Sequence, residues 1–233
     1  SDLQRPLLQQ GLAGITGMRI GLDQPGNVAA GDDSGYLQRA FPSPTMLIDF
    51  GSPLAANSTG ICASQSVTIA TTPKALLNGA LASGGGVVLD APRNVVAAWT
   101  GTAVITVRGF DEYGQPMMES SASGTSFTGK KAFKRVTDVR FNANVTAATV
   151  GTGNVLGFPV YVPYDLAVAR VTMNGAAETI AAQVSGDLTK PSATTGDVRG
   201  TFTPTTVPNG NRAFLAIVYQ PDANARGLPQ FYT

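Results

Sequence analysis

Three carboxylates lie close together in the chain, Asp111, Glu112 and Glu119. Two carboxyl groups flanking a glycosidic bond suffice for acid–base hydrolysis. Yet Asp111-Glu112-Tyr113-Gly114 has the composition of a turn, and no spacing here fixes a separation between two carboxyl groups. Turn residues are the expectation. Gly124-Thr-Ser-Phe-Thr-Gly129-Lys130 has the GxxxxGK spacing of a phosphate-cradling loop. Lys131 then stands where Ser or Thr would bind magnesium, and residues 132–141 read as a strand, so no helix N-terminus would face a phosphate. Gly151-x-Gly153-x-x-x-Gly157 fails as a dinucleotide loop, because Pro159 blocks the helix that must follow. Cys62 is the one cysteine, which excludes an intrachain disulfide and thiolate metal sites. It reads as a buried thiol in a reducing compartment. There is no histidine. That removes Ser-His-Asp and Cys-His catalysis, His-ligated zinc and the usual proton shuttle near neutral pH. No enzyme, cofactor or metal site is expected.

Lys130, Lys131, Lys134, Arg135 and Arg140 form a local basic cluster. Such a cluster is either a solvated strand face or a contact for an acidic surface on a protein partner. Nucleic acid is not expected: net charge is only +1, and aromatic residues are not interleaved for stacking. No apolar run approaches the ~20 residues that span a bilayer, so no membrane contact is expected. The opening stretch SDLQRPLLQQGLAG lacks the basic start and apolar centre of a secretion signal.

The elements that must position these residues read as strands. Charged residues are only 13%, with 27 glycines and 15 prolines, which favours many short strands and tight turns over helices with charged outer faces. Between 103 and 109 the chain reads A-V-I-T-V-R-G, a period of two rich in β-branched side chains. Ala103, Ile105, Val107 and Gly109 share one face. Residues 111–114 turn the chain and Pro116 to Ser121 return, making a hairpin expected at the centre of the fold. Asn78-Gly79 and Asn174-Gly175 are hairpin dipeptides. Residues 87–89 and 93–99 read as separate strands, and 154–162 as a strand that Pro159 marks as an edge strand or a bulged one. The apolar run 213–219 suits a strand buried on both faces. The spacing of these strands, one every 8 to 12 residues, predicts an all-β antiparallel β-sandwich, jelly-roll-like, over residues 61–233. Residues 1–60 differ, with Gly and Pro every few positions and no sustained period, apart from a possible strand at 45–50. Their apolar residues, among them Leu7, Leu8, Leu12, Ile15, Tyr36 and Phe41, are too many for a solvated linker. We read an extended N-terminal arm that orders by lying on another surface.

The strings LDAPRNVVAAWTG, VITVRGFDEYGQPMMES, GTSFTGKKAFKRVTDVRF, VGTGNVLGFPVYV and TGDVRGTFTP, between Leu89 and Pro204, resemble structural proteins of tailed-bacteriophage heads. The resemblance is nearest to the cement, or decoration, proteins on the outside of the capsid. It implies a homo-oligomer, trimer before dimer, assembled in the bacterial cytoplasm and clamped across neighbouring major capsid proteins on the virion exterior. It assigns no chemical role to any residue. The expected partner contacts are the arm residues Leu7, Leu8, Leu12, Ile15, Tyr36 and Phe41, with Lys130 and Lys131 from the basic cluster. A tail or connector protein is the neighbouring reading. A carbohydrate-binding sandwich module is the alternative, resting on Trp99 and Tyr113 near turns.

Overall fold

The computed structural model describes residues 45–163, 168–187, 196–219 and 227–230, and every regular element in them is a β-strand. The first are β1 (Thr45–Gly51), β2 (Cys62–Val67), β3 (Ala82–Ser83) and β4 (Gly86–Ala103). Then come β5 (Ile105–Phe110), β6 (Pro116–Ser120), β7 (Gly124–Thr128), β8 (Phe133–Phe141) and β9 (Val145–Gly157). The last are β10 (Val168–Met173), β11 (Ala176–Glu178), β12 (Ile180–Ser185), β13 (Gly200–Pro204) and β14 (Phe214–Tyr219). They form an antiparallel β-sandwich of two sheets. The smaller runs β1-β14-β10-β11; the larger runs β12-β13-β9-β4-β8-β5-β6, with β2 beside β9 and β3 and β7 beside β4.

Alternation along β5 is as the sequence reads: Ile105, Val107 and Gly109 are buried, while Thr106, Arg108 and Phe110 are half-buried. Gly114 closes the following turn at φ 77°. The β5–β6 hairpin is not central, however. It forms one edge of the larger sheet, and the long strands β4 and β9 take the middle. Residues 87–89 and 93–99 are one 18-residue strand, because register shifts around Pro92 and Gly101 absorb the residues that read as breaks. On β9 the ladder ends at Gly157, before Pro159.

Two apolar cores result. Trp99, Phe127, Phe133, Phe141 and Met117 are in the first, with Ile105, Val107 and Val150. Phe158, Phe202, Phe214, Val168 and Val218 are in the second, with Ile48 from β1. Both long strands serve both cores. β4 supplies Val95 to the first and Ala91 to the second, and β9 supplies Val150 and Leu156 likewise. Between Ala91 and Val95 sit Arg93 and Asn94, both 1% exposed. Burial pulls the Arg93 guanidinium below its ordinary range, and the Asp90 charge opposes this.

Asn174-Gly175 makes the expected hairpin, both residues at positive φ. Asn78-Gly79 does not. The hairpin there turns instead on Gly84 and Gly85, at φ 59° and 79°, the pair of left-handed residues that a two-residue turn demands. Gly79 is used for close approach, since a Cβ on it would lie 2.3 Å from the Thr59 carbonyl oxygen. The strand over 214–219 is buried on one face only, and Ile217 and Tyr219 face out. Residues 45–60, read as arm, are built into the sandwich. β1 pairs with β14, and the Arg93 guanidinium donates to the Leu54 carbonyl at 3.0 Å.

Candidate functional site

Buried charge gathers where separate loops meet. The contributors are the 111–115 turn, Glu119 on β6, the 129–132 link from β7 to β8, residues 197–199 ahead of β13, and Gln230. Arg199, 1% exposed, donates to Asp111 at 2.8 Å and to the Phe158 carbonyl at 3.0 Å. Its guanidinium lies 5.0 Å from the Tyr113 ring centroid. Asp111 divides its two oxygens. One accepts the Tyr113 and Gln115 N–H groups, both at 2.8 Å, closing the turn, and the other holds Arg199. Asp197 accepts the Ala132 N–H and the Arg199 N–H, each at 3.1 Å. Glu119 accepts the Lys130 and Lys131 N–H groups at 2.6 and 3.2 Å. Gln230 brings its amide nitrogen within 3.4 Å of Asp111 and 3.5 Å of Asp197. A charge removed from water persists only with partners of this kind.

The electrostatics follow from burial. Desolvation pushes the Glu119 carboxyl up to about 7, with the Asp197 charge adding to it and the two amides and Lys131 opposing. The Glu112 carboxyl is likewise raised, first by burial. Burial pulls the Lys131 ammonium down, while Glu119 and Asp197 hold it up. For Arg199 burial is outweighed by Asp197, Asp111 and Glu112, which keep the guanidinium more basic than usual. Glu119 therefore holds or releases a proton near neutral pH. Both its oxygens are committed to backbone amides, and the Cys62 thiol is buried and pushed up to about 12. Among the described residues no group of three or more His, Cys, Asp or Glu side chains is arranged to hold a metal ion. The cluster is a clasp that ties loops from distant parts of the chain.

Of the residues expected at a partner contact, Leu7, Leu8, Leu12, Ile15, Tyr36 and Phe41 lie outside the described residues. Lys130 is exposed at the turn into β8. Lys131, expected beside it on an outer face, is fully buried, because the turn sends it into the charged clasp. Residues 124–130 are β7 and that turn, antiparallel to β4. Asp111 and Glu112 are turn residues as read, but Glu119 is a buried strand residue. Trp99 is 6% exposed and packs edge-on to Phe141 at 5.3 Å, so it offers no face to a sugar. Arg199 and Asp197 escaped the sequence reading: residues 197–203 read as one strand, but the strand begins at Gly200 and leaves both buried in the link ahead of it.

Among the described residues, two sheet faces carry exposed apolar or charged side chains on neighbouring strands. On the smaller sheet Ile48, Ala216 and Val218 point into the core, so alternation turns Leu47, Ile217 and Tyr219 outward on the neighbouring strands β1 and β14. They are 64%, 36% and 44% exposed. On the larger sheet, Asp138 of β8 is ringed by Lys74 at 3.1 Å, Arg140 at 2.6 Å and Arg108 at 3.9 Å. No protein-family model, curated protein or solved structure matches the chain.

Proposed function

We propose that this chain is a non-enzymatic structural protein that binds the outer surface of a bacteriophage capsid and cements neighbouring major capsid proteins, acting as a homotrimer or dimer. The observation that carries the reading is the outward exposure of Leu47, Ile217 and Tyr219 on two paired strands. Large apolar side chains on paired strands have little backbone freedom left to lose on docking. They gain roughly 25 cal/mol for each Å² of apolar surface that docking removes from water. The resemblance of residues 89–204 to phage head proteins supplies the surface to be docked, and strands β4 to β13 lie within or across that stretch. The charged clasp supports the same reading, since its acids and bases are spent on holding loops together.

The test is co-sedimentation of the chain with expanded phage heads, comparing wild type with Ile217→Lys. Wild type is expected to saturate the heads, and the variant to bind at least about tenfold more weakly, the effect of forcing a charge into a desolvated contact. Equal binding by the two would remove these apolar side chains from the interface. Heads left bare by wild type would remove the capsid reading.

A further inference from the structure

The outer face of the β4-β8-β5-β6 edge carries an excess of positive charge, and strand register shows how it is arranged. Residues directly paired across antiparallel strands point to the same side. Val88, Arg135, Phe110 and Pro116 form one row across β4, β8, β5 and β6. Asp138, Arg108 and Met118 form the next. Lys74, Arg140, Thr106 and Ser120 form the third, Lys74 joining through an isolated bridge to Arg140. Arg135 and Arg140 are five residues apart, so strict alternation would put them on opposite faces. A register shift on this pair of strands, between Arg108 and Gly109, brings both outward. The opposite side of β5, with Ile105 and Val107, is core.

On this face Lys74, Arg140 and Arg108 surround Asp138, and Arg135 lines a hollow with Lys134, Val88, Phe110 and Glu112, so the cations outnumber the carboxylates. Lys74 and Arg140 remain about half exposed, at 52% and 50%. Apolar surface lies at the margin: Val88 is 63% exposed, and Phe110 lies under the Arg135 guanidinium at 6.0 Å. Arginines grouped with apolar neighbours, and little lysine-only charge, are the make-up of a protein contact. Nucleic acid fits less well, because Phe110, half-buried with the Arg135 guanidinium over it, is the one ring in these rows among the described residues. Among the described residues the acids that a second copy would offer are already engaged: Asp49 is bound to the Gly51 N–H, Asp90 to the Leu54 N–H and Arg93, and Glu178 to Thr206.

From this placement we propose that the Lys74, Arg135, Arg140 face is a docking site for an acidic segment of a different protein, whose carboxylates replace the water around these cations. It stands whether or not that partner is a capsid. Asp138 then acts as an internal competitor for Lys74 and Arg140.

Binding of poly-L-glutamate to the full chain, followed by calorimetry at low and at physiological salt, tests this. Arg135→Gln with Arg140→Gln is expected to weaken binding about tenfold or more, and Asp138→Asn to tighten it severalfold. Arg170→Gln, the loss of one charge on β10 against two in the double variant, is expected to change it less than about twofold. The proposal is overturned if Arg170→Gln weakens binding as much as the double variant, or if Asp138→Asn leaves it no tighter. Absence of binding to wild type at low salt also overturns it. So does tighter binding of duplex DNA than of poly-L-glutamate at the same salt, lost in the double variant, which would assign the face to nucleic acid.

Discussion

Glu119 gives the clasp a pH dependence whose sign and size can be worked out. Its carboxyl is raised from 4.5 to about 7 in the folded chain, chiefly by burial. A carboxyl raised on folding binds its proton more tightly in the folded state, so its contribution to stability is complete below 4.5. It is lost as pH rises through about 7. The difference, about 2.5 pH units at 1.36 kcal/mol each, corresponds to about 3 kcal/mol. The structural reason is removal of the carboxyl from water, and the neighbouring Asp197 carboxylate adds to it against the two backbone amides and Lys131. Glu119→Gln keeps the Oε1 acceptor for one amide and removes the titration, at the cost of the second amide's partner. Urea unfolding at pH 4.5, 5.5, 6.5, 7.5 and 8 measures both proteins. Wild-type stability minus that of Glu119→Gln is expected to fall by about 3 kcal/mol across this range, most steeply between 5 and 7. Parallel curves would refute the argument that Glu119 is forced to ionise inside the clasp.

Arg199→Met leaves Asp111 buried without its cation, and is expected to cost about 3 to 5 kcal/mol, seen as a lower urea midpoint. Adding Asp111→Asn, which keeps an acceptor for the Tyr113 and Gln115 amides, is expected to recover part of that loss; a cost under about 1 kcal/mol for Arg199→Met alone would count against the clasp. Cys62, buried with its thiol pushed up to about 12, is expected to resist a thiol reagent at pH 8 in the folded chain and to react at once in denaturant, and fast native labelling would contradict its burial.

The all-β class was legible because alternation and turn chemistry are local. Ile105 to Gly109 alternate whatever surrounds them, and Asn174-Gly175 sets its own turn. What failed depended on distant partners. Asn78-Gly79 carries the hairpin dipeptide, yet Gly79 is needed where the chain passes against Thr59 and Gly60. Pro92 and Gly101 look like strand ends, but partner strands on either side of β4 take up the irregularity by shifting register. The order of strands in the larger sheet, which moved the β5–β6 hairpin from centre to edge, leaves no mark in either strand's own residues. The basic cluster was visible as composition only. Whether Lys130 or Lys131 turns inward depends on Glu119, eleven and twelve residues away, which takes both amides. Lys74 and Arg108 join the outer face through pairing that sequence spacing does not reveal.

The most direct test of the functional reading is the mass of the purified chain by native mass spectrometry or light scattering, followed by sedimentation and heating with and without expanded phage heads. A stable trimer or dimer that travels with the heads and delays their disruption by heat is the predicted result. A monomer that leaves the heads bare and their heat stability unchanged would contradict it.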